Sequence, residues 1–153
     1  MGYASNFDTT YDAALGVLVI ASQAANNTTT TAILDLSPVA TDFTLHASVY
    51  GVGTAATDYT VVTIMGSTTA DFSAGNYVLG HFIVGDSALI GTTFGAAPSA
   101  DRGTGHYAVR LHNAVPQALE SSDPIVCRYI RLVSKTVGAS STLNAVFNPC
   151  IGR

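Results

Sequence analysis

The chain has 153 residues, of which 10% are charged and 48% hydrophobic, and a formal net charge of −4. A single core commonly forms over about 100–200 residues, so this length suits one domain that needs no cross-links. A soluble domain ordinarily carries about 25% charged residues. So sparse a supply, with Lys135 the sole lysine and the arginines scattered, excludes nucleic acid as the main partner, because phosphate binding draws on clustered cations.

Residues 1–27 are expected to form an N-terminal arm or a first strand, with a polar start at Gly2, Ser5 and Asn6. The apolar run from Ala13 to Ala21 has no basic residue before it, as a secretory signal would require. It is also far short of the roughly 20 apolar residues of a membrane span. No membrane partner is therefore expected, and synthesis and use in a cytoplasm are. Within that run Thr10 to Ala21 is the one helix candidate, with Asp8 as cap, but the β-branched residues around Val17-Leu18-Val19-Ile20 favour a strand as strongly.

Residues 28–153 read as an all-β domain. Thr30 to Leu36 is the first strand, stopped at Ser37-Pro38 because proline cannot donate to a ladder. Phe43 to Val52 follows, with Phe43, Leu45, Ala47 and Val49 on one face and Thr44, His46, Ser48 and Tyr50 on the other, the alternation of a half-buried strand. Tyr59 to Met65 is the next strand. Gly66-Ser67-Thr68-Thr69 and Asp71 to Asn76 are turn material. Tyr77 to Val84 is a strand whose internal Gly80 signals a bulge or a close backbone approach. Gly85 to Gly105 is a long Gly/Ala/Ser/Thr-rich loop. His106 to His112 alternates again, with Tyr107, Val109 and Leu111 inward and His106, Ala108, Arg110 and His112 outward. Val115 to Pro124 is an irregular connection. Ile125 to Ser134 and Thr142 to Phe147 are the last strands. Seven or eight short strands at this spacing predict a sandwich, and eight in two packed sheets is the jelly-roll number.

Catalytic patterns are missing from the sequence. Zinc and iron sites need several His, Cys, Asp or Glu within reach, whereas His46, His81, His106 and His112 lie on three different strands. His106 and His112 share a face but sit about 20 Å apart along it. Glycoside hydrolysis needs two acids flanking a cleft, but Glu120 is the only glutamate and the aspartates fall mostly in turns, where capping explains them. Gly-x-Ser-x-Gly does not occur. Gly103-Thr104-Gly105 has no helix after it to make a phosphate loop. The chain lacks tryptophan, the usual sugar platform, and its tyrosines lie in or beside strands, where packing accounts for them. The expectation is a protein that is not an enzyme, with no cofactor, metal or catalytic residue. Cys127 and Cys150 are read as two free thiols, or as one bridge tying the C-terminal tail to a strand.

The sharper signal is Cys127-Arg128-Tyr129-Ile130-Arg131-Leu132. Arginines three apart on a strand point to opposite faces, so one of Arg128 and Arg131 is expected at an interior or an interface. Either both snorkel or pair with acids at a sheet edge, or one anchors an intersubunit contact, where Arg is enriched. Arg128, Tyr129 and Arg131, with Arg110, His106 and His112, are the candidate interface residues.

Two elements carry a family resemblance: Ala32-Ile33-Leu34-Asp35-Leu36 after a Thr-rich lead-in, and Arg128-Tyr129-Ile130-Arg131-Leu132 followed by a small-residue turn and Leu143-Asn144-Ala145-Val146-Phe147. In this order they resemble the jelly-roll capsid cement, or decoration, proteins of tailed bacteriophages, over roughly residues 28 to 148. The resemblance implies a virion protein on the outer surface of the capsid. Its partners would be the major capsid protein and further copies of itself, as a homodimer or homotrimer. The competing readings are another virion part, such as a tail component, head fibre base or small coat protein, and a secreted carbohydrate-binding β-sandwich module. A small β-sandwich hydrolase fits least well.

Overall fold

A computed structural model describes residues 9–11, 18–53, 58–85, 103–116 and 123–152. They form twelve strands and, among the described residues, no helix: β1 (Thr9–Tyr11), β2 (Leu18–Gln23), β3 (Thr28–Thr30), β4 (Leu34–Asp35), β5 (Asp42–Val52), β6 (Tyr59–Ser67), β7 (Asn76–Gly85), β8 (Gly105–His112), β9 (Ala114–Val115), β10 (Ile125–Val126), β11 (Tyr129–Val137) and β12 (Leu143–Gly152). All pairings are antiparallel. The first sheet runs β1-β12-β5-β8, with β2 also on β12; the second runs β3-β11-β6-β7, with β4 also on β11. Strands β9 and β10 make a separate short ladder.

The alternation seen in the sequence is what builds the core. Phe43, Leu45, Ala47 and Val49 of β5 are buried together with Leu18 and Ile20 of β2 and Leu143, Ala145 and Phe147 of β12. Facing them are Val62 and Ile64 of β6, Phe82 and Val84 of β7, and Ile130 and Leu132 of β11. The molecule is thus an antiparallel β-sandwich, its core filled from the two inner faces. Phe82 bridges the layers, edge-on to Phe147 at 6.1 Å and tilted against Tyr107 at 5.2 Å between ring centroids.

Several elements differ from the sequence reading. The segment expected as one strand from Thr30 to Leu36 is two, β3 and β4, which pair with successive parts of β11. Ile125 to Ser134 is also divided: β10 pairs with β9, and the chain then enters the second sheet as β11. The final strand runs to Gly152 instead of stopping at Phe147, passing through Pro149. On that flank β12 pairs with β2 up to Phe147 and with β1 from Cys150, so the proline stands where the ladder is already interrupted. Of residues 1–27, Leu18–Gln23 is a strand of the first sheet instead of the helix also considered, and Thr9–Tyr11 pairs with β12. Residues 1–8 and the loop 86–102 lie outside the described residues.

Gly80 does mark a bulge. Ile64 pairs with Gly80 and Met65 with Val78, which leaves Leu79 as the extra residue. A Cβ on Gly80 would lie 2.6 Å from Leu111 Cδ2, so close approach across the sandwich accompanies the bulge.

Candidate interface surfaces

Three of the candidate residues stand on the outer face of the first sheet. On β8, His106, Arg110 and His112 are exposed while Leu111 is buried, the parity expected. Register places Ser48 beside His106, Thr44 beside Arg110 and Asp42 beside His112. Ser48 Oγ and His106 Nδ1 are 3.0 Å apart. His112 Nδ1–H donates to the Thr41 carbonyl at 2.8 Å, which leaves Nε2 as the acceptor of the neutral ring. Arg110 Nη2 lies 3.5 Å from Asp42 Oδ2, with side chains 80% and 57% exposed. A pair that open to water is worth little.

The other three lie on the opposite side of the molecule, at the start of β11 in the second sheet. The expectation that Arg128 and Arg131 point to opposite sheet faces is corrected: both side chains lie on the outer side of the second sheet. Arg128 precedes β11, and in the crossing from β10 the alternation breaks: Cys127 is buried, Arg128 exposed and Ile130 buried again. Arg128 forms a bidentate pair with Asp35, Nε–Oδ1 and Nη2–Oδ2 both 2.7 Å. Its guanidinium also lies 5.3 Å from the Tyr129 ring. The Arg128 hydrogen bonds hold the Asp35 carboxyl below its ordinary range. Arg131 points outward and stacks over Phe72, 4.2 Å from the ring centroid. The candidate residues therefore form two clusters on opposite outer faces and not one surface.

Phe72 was missed by sequence reasoning. It sits in the β6–β7 turn with φ +56°, a left-handed conformation that costs a non-glycine residue about 1–2 kcal/mol. Around it Ser67 Oγ and Thr69 Oγ1 both donate to the Ala74 carbonyl, Asn76 Nδ2 donates to the Phe72 carbonyl, and Asp71 accepts from the Ser73 N–H. This network folds the turn back so that the buried phenyl ring covers Arg131. The Asp-Phe-Ser segment signalled a turn, but nothing in it signalled the partner.

Asn113 was missed too. It is fully buried between β8 and β9. Its Oδ1 accepts the Thr41 N–H at 2.7 Å and its Nδ2 donates to the Val39 carbonyl at 3.0 Å. Its own N–H donates to the Thr41 carbonyl, and its carbonyl accepts the Cys127 N–H. One side chain thus fixes the 37–41 segment against the end of β8, where Arg110 and His112 stand.

The two outer faces differ in chemistry. That of the first sheet carries Asp42, His46, Arg110 and His112 among hydroxyl and amide side chains. That of the second is mixed: on β6 Val61 and Met65 point out beside Tyr59 and Thr63, and on β11 Val133 stands between Arg131 and Lys135. Cys127 and Cys150 are both free and buried, and burial raises both thiols above their ordinary range. Among the described residues no group of three or more His, Cys, Asp or Glu could hold a metal, and no helix is long and apolar enough to cross a membrane. Compared with known proteins, the chain matches no family model and no curated sequence.

Proposed function

We propose that the chain is a structural virion protein, a capsid cement protein that binds the outer surface of a bacteriophage head as a homo-oligomer and clamps neighbouring subunits of the major capsid protein. The observation that carries this reading is the chemistry of the molecule's outer surface. A rigid sandwich presents broad sheet faces with few charges, and Val19, Val39, Tyr50 and Val78 stand 50–64% exposed. Sheet faces with few charges suit contact with other protein, because the cores of such contacts are depleted of charged residues.

Strand order supports the jelly-roll form of the sandwich. With β3 and β4 counted as one, the orders β2-β12-β5-β8 and β3/β4-β11-β6-β7 each set early strands beside late ones, as two interlocked Greek keys do. A head packed with DNA fails where its subunits part, and a clamp across the joint adds contact free energy that must be lost before the joint opens. Each contact can be modest, because an oligomer touching several subunits gains through effective concentration. Small side chains lose little entropy when immobilised. The protein works by adhesion, without cofactor or turnover, on the outside of the capsid after synthesis in the host cytoplasm.

The test is thermal. Shells lacking the protein should release DNA at a lower temperature than complete shells, and adding purified protein back should restore the difference. Equal release temperatures would reject the clamp.

A further inference from the structure

The marginal strands of a sheet carry a row of unpaired N–H and C=O groups, and proteins blunt such flanks with short strands, bulges, proline or lysine. Three of the four margins described here are blunted. One side of the first sheet is held by β1, three residues long, and by β2, six residues long with Ser22 at φ +49° and a register shift against β12. In the second sheet one side is held by the short β3 and β4, and the other by β7, bulged at Leu79. The fourth margin is β8. It pairs with β5 without a shift from Gly105 to His112 and includes no proline or lysine. Its outer flank is open. Asn113 N–H donates to the Thr41 carbonyl at 3.1 Å, one step past the Asp42–His112 pair. Alternate residues of an antiparallel strand point their N–H and C=O to opposite sides. The backbone groups of Tyr107, Val109 and Leu111 therefore face β5, and those of His106, Ala108 and Arg110 turn away from it. Among the described residues nothing bonds to the second set.

We infer that β8 pairs with β8 of a second copy, antiparallel about a two-fold axis at Ala108, so that the first sheets of two copies run on as one. The inference rests on the oligomeric part of the reading above and narrows it, from dimer or trimer to dimer. A strand that meets its own copy makes an isologous contact, which closes at two. The self-complementarity lies in the backbone. A strand turned about a two-fold axis offers its original the same donors and acceptors in reverse order, and about six hydrogen bonds join His106, Ala108 and Arg110 to Arg110, Ala108 and His106 of the second copy. The side chains agree with that register. On the outer face Ala108 meets Ala108, and Arg110, whose Asp42 lies 3.5 Å away in its own copy, stands beside a histidine. On the inner face Tyr107 meets the second copy's Val109. An axis at Arg110 would set two guanidinium groups directly opposite, which is destabilising. An axis at Val109 would draw in His112, where the chain leaves for β9. The strip is about 26 Å long and about 10 Å deep, less than a permanent interface covers. The hydrogen bonds therefore carry the contact, and the dimer dissociates on dilution.

The experiment uses the purified full chain without shells. Sedimentation equilibrium up to submillimolar concentration should show a monomer–dimer exchange that reaches twice the 15.7 kDa chain mass. Ala108→Pro removes an N–H that faces the open flank and no ladder bond to β5, the setting in which a sheet tolerates proline. That variant should keep the β circular-dichroism spectrum and stay a single chain at every concentration. Ala108→Cys supplies a second readout. Identical positions on the axis lie about 5.5 Å apart at Cα, within disulfide reach. Mild oxidation should therefore link two Ala108→Cys copies several-fold faster than two Ala70→Cys copies, altered at an exposed position in the β6–β7 turn. A wild type that is monomeric or trimeric at submillimolar concentration would overturn the inference. So would a dimer that survives Ala108→Pro in a folded chain, or linking of Ala108→Cys no faster than of Ala70→Cys. If the proline unfolds the chain, the cysteine variants decide. Shell binding is scored apart from this. A dimer with no affinity for heads sinks only the cement reading, and a monomer that binds heads sinks only this one.

Discussion

Asn113 shows how much one buried amide can organise. Its side chain satisfies the Thr41 N–H and the Val39 carbonyl, both in a segment with no regular pairing of its own. Asn113→Ala would orphan both, and at about 1–3 kcal/mol for each unsatisfied group the loss should be about 2–6 kcal/mol. Urea denaturation at pH 7 measures it directly. Arg131→Ala should cost less, about 1 kcal/mol, since it removes one partly exposed stack on Phe72. The Asp35–Arg128 pair predicts a pH dependence. The folded carboxyl sits below its ordinary 3.8, so the pair stabilises the fold above that value, and the contribution is lost as pH falls through the lower folded value. Arg128→Ala should therefore return the Asp35 titration, followed by carboxyl NMR, toward 3.8. The stability gap between variant and wild type should be present at pH 7 and vanish in strong acid. A titration that does not move would mean the pair is not formed in solution.

At the scale of elements, two glycines in β7 allow a sharp comparison. A Cβ on Gly85 would lie 2.6 Å from the Asp58 carbonyl oxygen and from Tyr59 Cα, both backbone atoms, at φ +123°. Neither the strain nor the clash can relax, so Gly85→Ala should cost about 2–4 kcal/mol. On Gly80 the obstacle is the tip of Leu111, which can turn aside, and Gly80→Ala should cost about 1 kcal/mol or less. Thermal melts of the two variants side by side decide this, and equal losses would contradict the geometry. The same scale explains where reading the chain succeeded. The alternation in β5 and β8 was legible because each has one dry face and one wet face, and period 2 records that difference. The divisions of β3 from β4 and of β10 from β11 were not legible. They depend on which neighbour each segment pairs with, and a run of β-formers has the same composition whether it pairs with one strand or two.

For the whole molecule, β12 is decisive. It lies between β2 and β5 in the middle of the first sheet, so folding cannot finish until the last residues find the first. Loop closure over such separations slows folding, and this chain should fold in milliseconds to seconds, as non-local β proteins do. Stopped-flow refolding faster than a millisecond would contradict the topology. A chain ending at Ser141 should show no cooperative melt, because its loss exposes the core partners of Leu143, Ala145 and Phe147.

Hydrophobic periodicity, turn residues and the shortage of charge were enough, without coordinates, to establish an all-β sandwich and to place outward His106, Arg110 and His112 correctly. They suffice because the burial of a strand face leaves its mark residue by residue. Only the tertiary structure decided that the six candidate residues divide between opposite faces, that Arg128 belongs to Asp35 and Arg131 to Phe72, and that Asn113 ties distant segments together. These depend on which strands become neighbours, and that choice is made by the packing of the whole core, which no local pattern encodes.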